Sequence, residues 1–144
     1  YVGDAIRFNS FEEAVAYVKL TAASFGPHSE EQWQHLTRFT YIQHGDHWVK
    51  HYDLGLATPF KAMDAATAAQ GEQYLWHAYA SIQAPILIVR GQDSDLLSTA
   101  TLERMLASNT RSSVVQFAGV GHAPTLMAAD QIAAIEGFLN ANPT

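Results

Sequence analysis

Three side chains at two turns could do proton chemistry together. Asp93 and Asp95 lie in the turn Gln92–Leu97, after the apolar run Ile86-Leu87-Ile88-Val89. His122 lies in Ala118–Leu126 (AGVGHAPTL), after a second short β-rich run. In open α/β sheets ligands bind at the carboxyl ends of strands, where both turns would fall. A histidine there can accept a proton from a nucleophile and return it to a leaving group, its other nitrogen held by a carboxylate. Gly119 and Gly121 permit a tight turn and leave room around the imidazole, and Pro124 stiffens the exit. The bland alternatives are a loop histidine bound to a backbone carbonyl and solvated turn aspartates. A strand before and a helix after favour the catalytic reading.

No nucleophile accompanies these groups. None of the nine serines (Ser10, Ser24, Ser29, Ser81, Ser94, Ser98, Ser108, Ser112, Ser113) sits in a strand, Gly-x-Ser-x-Gly, helix context. Ser94 is close in sequence, but it lies on the acid turn and is not an elbow. Without such a turn the chain by itself is expected to be catalytically incompetent.

The elements that must position the two turns are legible from periodicity. Ile86–Val89 is continuously apolar and β-branched, the mark of a strand covered on both faces in a parallel sheet, with Pro85 tolerated at its start. Ser98 should cap a helix over Thr99–Ser108, followed by a second strand, Ser113–Phe117, and a closing helix with Ile132, Ile135, Phe138 and Leu139 in a stripe. Upstream, Ser10-Phe11-Glu12-Glu13 and Ser29-Glu30-Glu31-Gln32 read as capping boxes opening two amphipathic helices, the first stopped by Gly26-Pro27. Phe39–Gln43 and His47–Tyr52 flank His44-Gly45-Asp46 as a hairpin. Phe60–Ala69 is predicted helical, Gly71 is expected to break it, and Glu72–Ile82 is predicted as another helix.

One rival site lies on that hairpin. His44, Asp46, His47 and His51 are close in sequence, and imidazole with carboxylate suits zinc. On a strand, however, His47 and His51 would stand roughly 13 Å apart, too far to share an ion. Only a helical segment would rescue the idea, so no metal is expected. His28, His35 and His77 read as isolated surface or packing positions.

Length and composition set the outer bounds. The 144 residues suffice for one ordinary domain with its own core. No apolar run approaches the roughly 18 residues of a membrane span, and nothing resembles a signal peptide. The net charge of −6 and the scattered Lys and Arg exclude an electrostatic footprint for nucleic acid or anionic lipid. The absence of cysteine rules out disulfides and fits a reducing, cytoplasmic setting. A small-molecule substrate is the default. Tyr1-Val2-Gly3-Asp4 lacks an initiator Met, so truncation is expected.

An acid turn, a helix, then a histidine turn resemble the end of an α/β-hydrolase, and the likeness runs from about Trp76 to Leu139. Many members resemble Gly-x-x-Asp at the acid turn. Here Ser94 fills that slot, and Asp93 and Asp95 straddle it. Some bacterial members look like R-G-x-x-S-D-[LI]-L-S, which Arg90-Gly91-Gln92-Asp93-Ser94-Asp95-Leu96-Leu97-Ser98 matches. The resemblance therefore implies His122 as general base and Asp95 as acid, with Asp93 the alternative. A third alternative is an acid from an earlier strand outside this chain, which would leave neither aspartate catalytic.

The same resemblance implies an α/β fold class. Residues 61–144 would be the C-terminal part of the hydrolase core, two parallel strands with helices, and residues 1–60 a mainly helical cap with a short hairpin. Trp33, Phe39, Trp48, Tyr52 and Phe60 would be cap core or substrate lining, core being the better expectation. The implied chemistry is Ser-His-Asp acyl-enzyme hydrolysis of a small ester or related carbonyl compound, without metal or organic cofactor. A non-catalytic binding or receptor module of the same outline stays open. Ile86–Val89 is too apolar for an exposed sheet edge, so it should pair with the missing N-terminal half or with a second copy of the chain.

Overall fold

In the computed structural model, which describes residues 3–122 and 124–143, the chain divides into two compact units. One comprises Tyr1–Ala23 and Pro27–Gln70, the other Ser24–Gly26 and Gly71–Thr144.

The first unit contains β1 (Arg7–Phe8), α1 (Phe11–Thr21), α2 (Glu30–Thr40), β2 (Tyr41–His44), β3 (His47–Lys50) and α3 (Thr58–Ala62). Ser10 caps α1 by accepting the Glu13 N–H, but Glu13 returns to the Asn9 N–H instead of closing the box on Ser10. The Ser29–Gln32 box on α2 is complete in both directions. β2 and β3 form the expected hairpin, turning through Gly45 and Asp46 between the paired His44 and His47, with Gly45 at φ +64°. The edge strand β1 completes an antiparallel sheet of order β1-β3-β2. Two residues are too few for any period, so β1 was invisible in the sequence.

The core of this unit is Ala14, Val15, Val18, Ala22, Thr37, Tyr41 and Ala57. Phe8 packs against Tyr17 and Tyr41, and Phe11 against Trp48. The aromatic core expected of Phe39 and Phe60 is corrected: both are more than 70 % exposed. At about 100° per residue, Phe39 stands roughly 200° round α2 from the fully buried Thr37, so it points outward.

α4 (Ala65–Ser81) runs unbroken through Gly71, contrary to the expected break. One glycine costs a helix only about 1 kcal/mol relative to alanine, less than abandoning the turns on either side. The interruption falls earlier, after α3, where Asp64 caps α4 by accepting the Thr67 N–H at 2.8 Å.

In the second unit, β4 (Ile86–Gly91) and β5 (Ser112–Phe117) pair in parallel, in register from Ile86↔Ser112 to Gly91↔Phe117. α5 (Thr99–Ser108), capped by Ser98, makes the crossover, and α6 (Ala129–Ala141) follows. Buried Asn109 ties the end of α4 to this layer, donating to the carbonyls of Tyr79 and Ile82. Among the described residues, β5 is the strand paired with β4, and the other edge of β4 carries none. Of the four residues expected to be covered on both faces, only Ile88 is buried. Ile132 and Leu139 of the α6 stripe are also exposed.

Candidate active site

Parallel pairing brings the carboxyl ends of β4 and β5 to the same side, so the turns carrying the aspartates and His122 start beside each other. Backbone hydrogen bonds then lace them together. Gln92 donates its N–H to the Phe117 carbonyl at 2.8 Å, and Asp93 donates to that of Val120 at 3.0 Å. At the end of β4 the approach is so close that only glycine fits: a Cβ on Gly91 would lie 1.8 Å from the Gly121 carbonyl oxygen. Gly121 is crowded in turn by Ser24, whose carbonyl accepts the Gly121 N–H at 2.5 Å. Gly119 takes φ +68°, so its role is the turn itself.

Each turn also has an anchor behind it. Arg90, a residue 5 % exposed, donates from Nε to the Leu97 carbonyl and from Nη1 to the Gln92 carbonyl and Gln116 Oε1. It clamps both ends of the acid turn. Past the histidine, Leu126 adopts φ +58°, a left-handed conformation costing a branched residue about 1–2 kcal/mol. Its N–H is taken by Oε1 of buried Gln131, from the first turn of α6. Backbone strain held by a buried side chain is frequent where a loop must present a group in one place.

Asp93, Asp95 and His122 are all exposed. A hydrogen bond joins His122 Nδ1 and Ser94 Oγ at 3.3 Å, and the tautomer of the ring sets which atom donates. Ser94 Oγ also accepts the Leu97 N–H at 3.0 Å, and the Ser94 N–H bonds the Gly91 carbonyl. Among the described residues, neither Asp93 nor Asp95 is hydrogen-bonded to or ion-paired with His122. The arrangement can hold a histidine steady and leave its Nε2 available.

Two contributors were missed from sequence. In the sequence Arg90 figures only as the first residue of the R-G-x-x-S-D pattern, and its buried contacts reveal the clamp. The Ser94 contact had a signal, its place three residues past Gly91, where the resemblance expects an acid. On the hairpin the structure is β-strand, so the helical spacing that zinc would need is not met. Among the described residues no group of three or more His, Asp or Glu side chains is arranged around a metal position.

No family model matches the chain. It is 41 % identical over 142 residues to a 3-hydroxybutyrate-oligomer hydrolase of Cupriavidus necator, an alignment covering 96 % of this chain and 48 % of that protein. It also resembles the crystal structure of a protein from Rickettsia typhi described as a hydrolase (27 % identity, TM-score 0.81, 99 % of this chain and 47 % of the other). A second solved structure, an α/β hydrolase of Novosphingobium aromaticivorans, is 30 % identical with TM-score 0.77, covering 97 % of this chain and 49 % of that one. The chain thus spans about half the length of the relatives it matches.

Proposed function

We propose, from a chain with the fold of the C-terminal part of an α/β hydrolase and with hydrolases as its relatives, that it supplies the base and the acid of a serine hydrolase. His122 Nε2 takes the proton of a serine hydroxyl as the serine attacks the carbonyl carbon, then delivers it to the leaving alkoxide. The acyl-enzyme is released by water through the same nitrogen. Asp95 is the proposed acid, with Asp93 the alternative. The nucleophile and the oxyanion-hole donors come from the rest of the protein, so this chain alone is inactive. No metal or organic cofactor takes part.

The substrate class is a small ester or related carbonyl compound. A relative acting on 3-hydroxybutyrate oligomers, which are joined through ester bonds, supports an ester of a short hydroxy acid. Residues 1–60 serve as the cap over the site. The unpaired edge of β4 takes its partner from the N-terminal half of the same protein or from a second copy. No helix among the described residues is long and apolar enough to cross a membrane, and the cysteine-free composition supports a cytoplasmic setting.

The observation that carries this reading is the lacing of two adjacent parallel strand ends around one anchored imidazole. A fluorophosphonate tests it on the full-length protein. Labelling at a single serine, abolished by His122→Ala, is the expected result. Ligand binding without labelling, indifferent to His122, would instead make the protein a receptor of hydrolase outline and overturn the proposal.

A further inference from the structure

Ser94 occupies the position three residues past Gly91 and places its Oγ 3.3 Å from His122 Nδ1, while neither neighbouring carboxylate reaches the ring. We propose that Ser94 is the positioning residue of His122: its hydroxyl oxygen accepts the Nδ1 proton, fixing the tautomer that leaves the Nε2 lone pair free. This rests on the reading of His122 as the base.

A triad acid performs two tasks. It selects the Nδ1–H tautomer and orients the ring, and it offsets the imidazolium charge. A neutral hydroxyl can do only the first. A serine oxygen has two acceptor lone pairs. One takes the Leu97 N–H, which leaves the other to accept from the imidazole 3.3 Å away. The oxygen is held in place from both sides: the Ser94 N–H is on the Gly91 carbonyl, and Arg90 grips the carbonyls of Gln92 and Leu97. At 3.3 Å the contact is long, as hydrogen bonds in unliganded sites often are before substrate tightens them. Ser94 therefore takes over the orienting task, and charge compensation falls to a carboxylate that does not contact Nδ1.

The test is nitrogen-15 NMR of the histidine rings in the full-length protein, with the His122 signals assigned by their loss in His122→Gln. Wild type should show the Nδ1–H form of neutral His122. Ser94→Ala should shift the population toward Nε2–H and lower kcat about tenfold or more, with KM little changed. Ser94→Thr, which keeps the hydroxyl, should restore both. An Nδ1–H population indifferent to Ser94→Ala overturns the proposal, as does a Ser94→Thr variant that unfolds like wild type yet behaves like Ser94→Ala. The two readings fail separately. A tautomer that follows Ser94 while His122→Ala leaves turnover intact supports positioning and defeats the catalytic assignment. Turnover lost in His122→Ala with a tautomer blind to Ser94 does the reverse.

Discussion

Among the described residues, His47 and His122 each have an oxygen-bearing neighbour, and they differ in how the neighbour arrived. His47 lies beside Asp46, its Nε2 3.4 Å from the carboxylate, because the two are consecutive where the hairpin turn enters β3. Its Nδ1 is buried without a hydrogen-bond partner, and Asp46 is almost fully exposed. His122 meets Ser94 across 28 residues, through two parallel strands, two glycines that admit backbone contact and a buried arginine. The imidazole next to an acid has the surroundings of a surface ion pair, worth little in water. The one without a carboxylate on its ring has the scaffold of a site. Proximity in sequence supplies a charge partner, whereas a site needs several elements to agree on one position.

The largest expected contrast is kinetic. In the full-length protein His122→Ala should lower kcat for an ester substrate by about a thousandfold or more, and His47→Ala should leave it within about twofold. Comparable losses in both variants would erase the distinction between the two imidazoles.

A structural contrast of moderate size concerns the glycines of the two turns. Gly91→Ala forces a Cβ into the Gly121 backbone and should destabilise the protein by more than about 3 kcal/mol in denaturant unfolding. Gly45→Ala meets open space and suffers only from φ +64°, so about 1 kcal/mol is expected. Equal penalties would mean that the two strand ends are not held as closely as described.

The smallest effects follow pH, and they belong to the first unit. Burial, then the nearby Tyr17 and Tyr52, push the Tyr41 hydroxyl above the ordinary tyrosine range. A raised pKa in an acid favours the neutral form in the folded state. That stability is complete below the unfolded value and is lost as pH rises through the folded one. Asp64 goes the other way, its carboxylate held low by the backbone N–H of Thr67 at the start of α4. Its contribution is present above the ordinary aspartate value and disappears as pH falls through the lowered one. Ultraviolet titration should find Tyr41 ionising later than a free tyrosine, and Tyr41→Phe should remove that late step. The protection of amides in the first turn of α4, relative to their intrinsic exchange rate at each pH, should fall in acid, and Asp64→Asn should remove most of that response.

Much of the local structure was legible because it rests on local rules. α5 begins and ends where Ser98 and the periodicity put it, and β4 and β5 match to within one or two residues. The hairpin was readable because Gly45 tolerates the turn. The failures were of another kind. Gly71 stayed helical because the surrounding turns outweigh its propensity cost, and β1 exists only because β3 offers it an edge. Phe39 and Phe60 read as core because aromatics usually bury, yet in this chain they face outward. For the candidate site, the turns and the histidine were readable, but the hydrogen-bond partner of that histidine was not. Asp93, Ser94 and Asp95 are consecutive, and no pattern states which side chain a turn aims inward.

By itself, the sequence determined the order of elements, the two Gly-bearing turns at the strand ends and the absence of an elbow serine, since each depends on residue type and short-range spacing. Tertiary structure alone decided that Gly91 and Gly121 lie backbone to backbone, that Arg90 clamps the acid turn, and that Ser94 faces His122. Those contacts join groups far apart along the chain, and their geometry is set by strand register and by what the packing leaves room for.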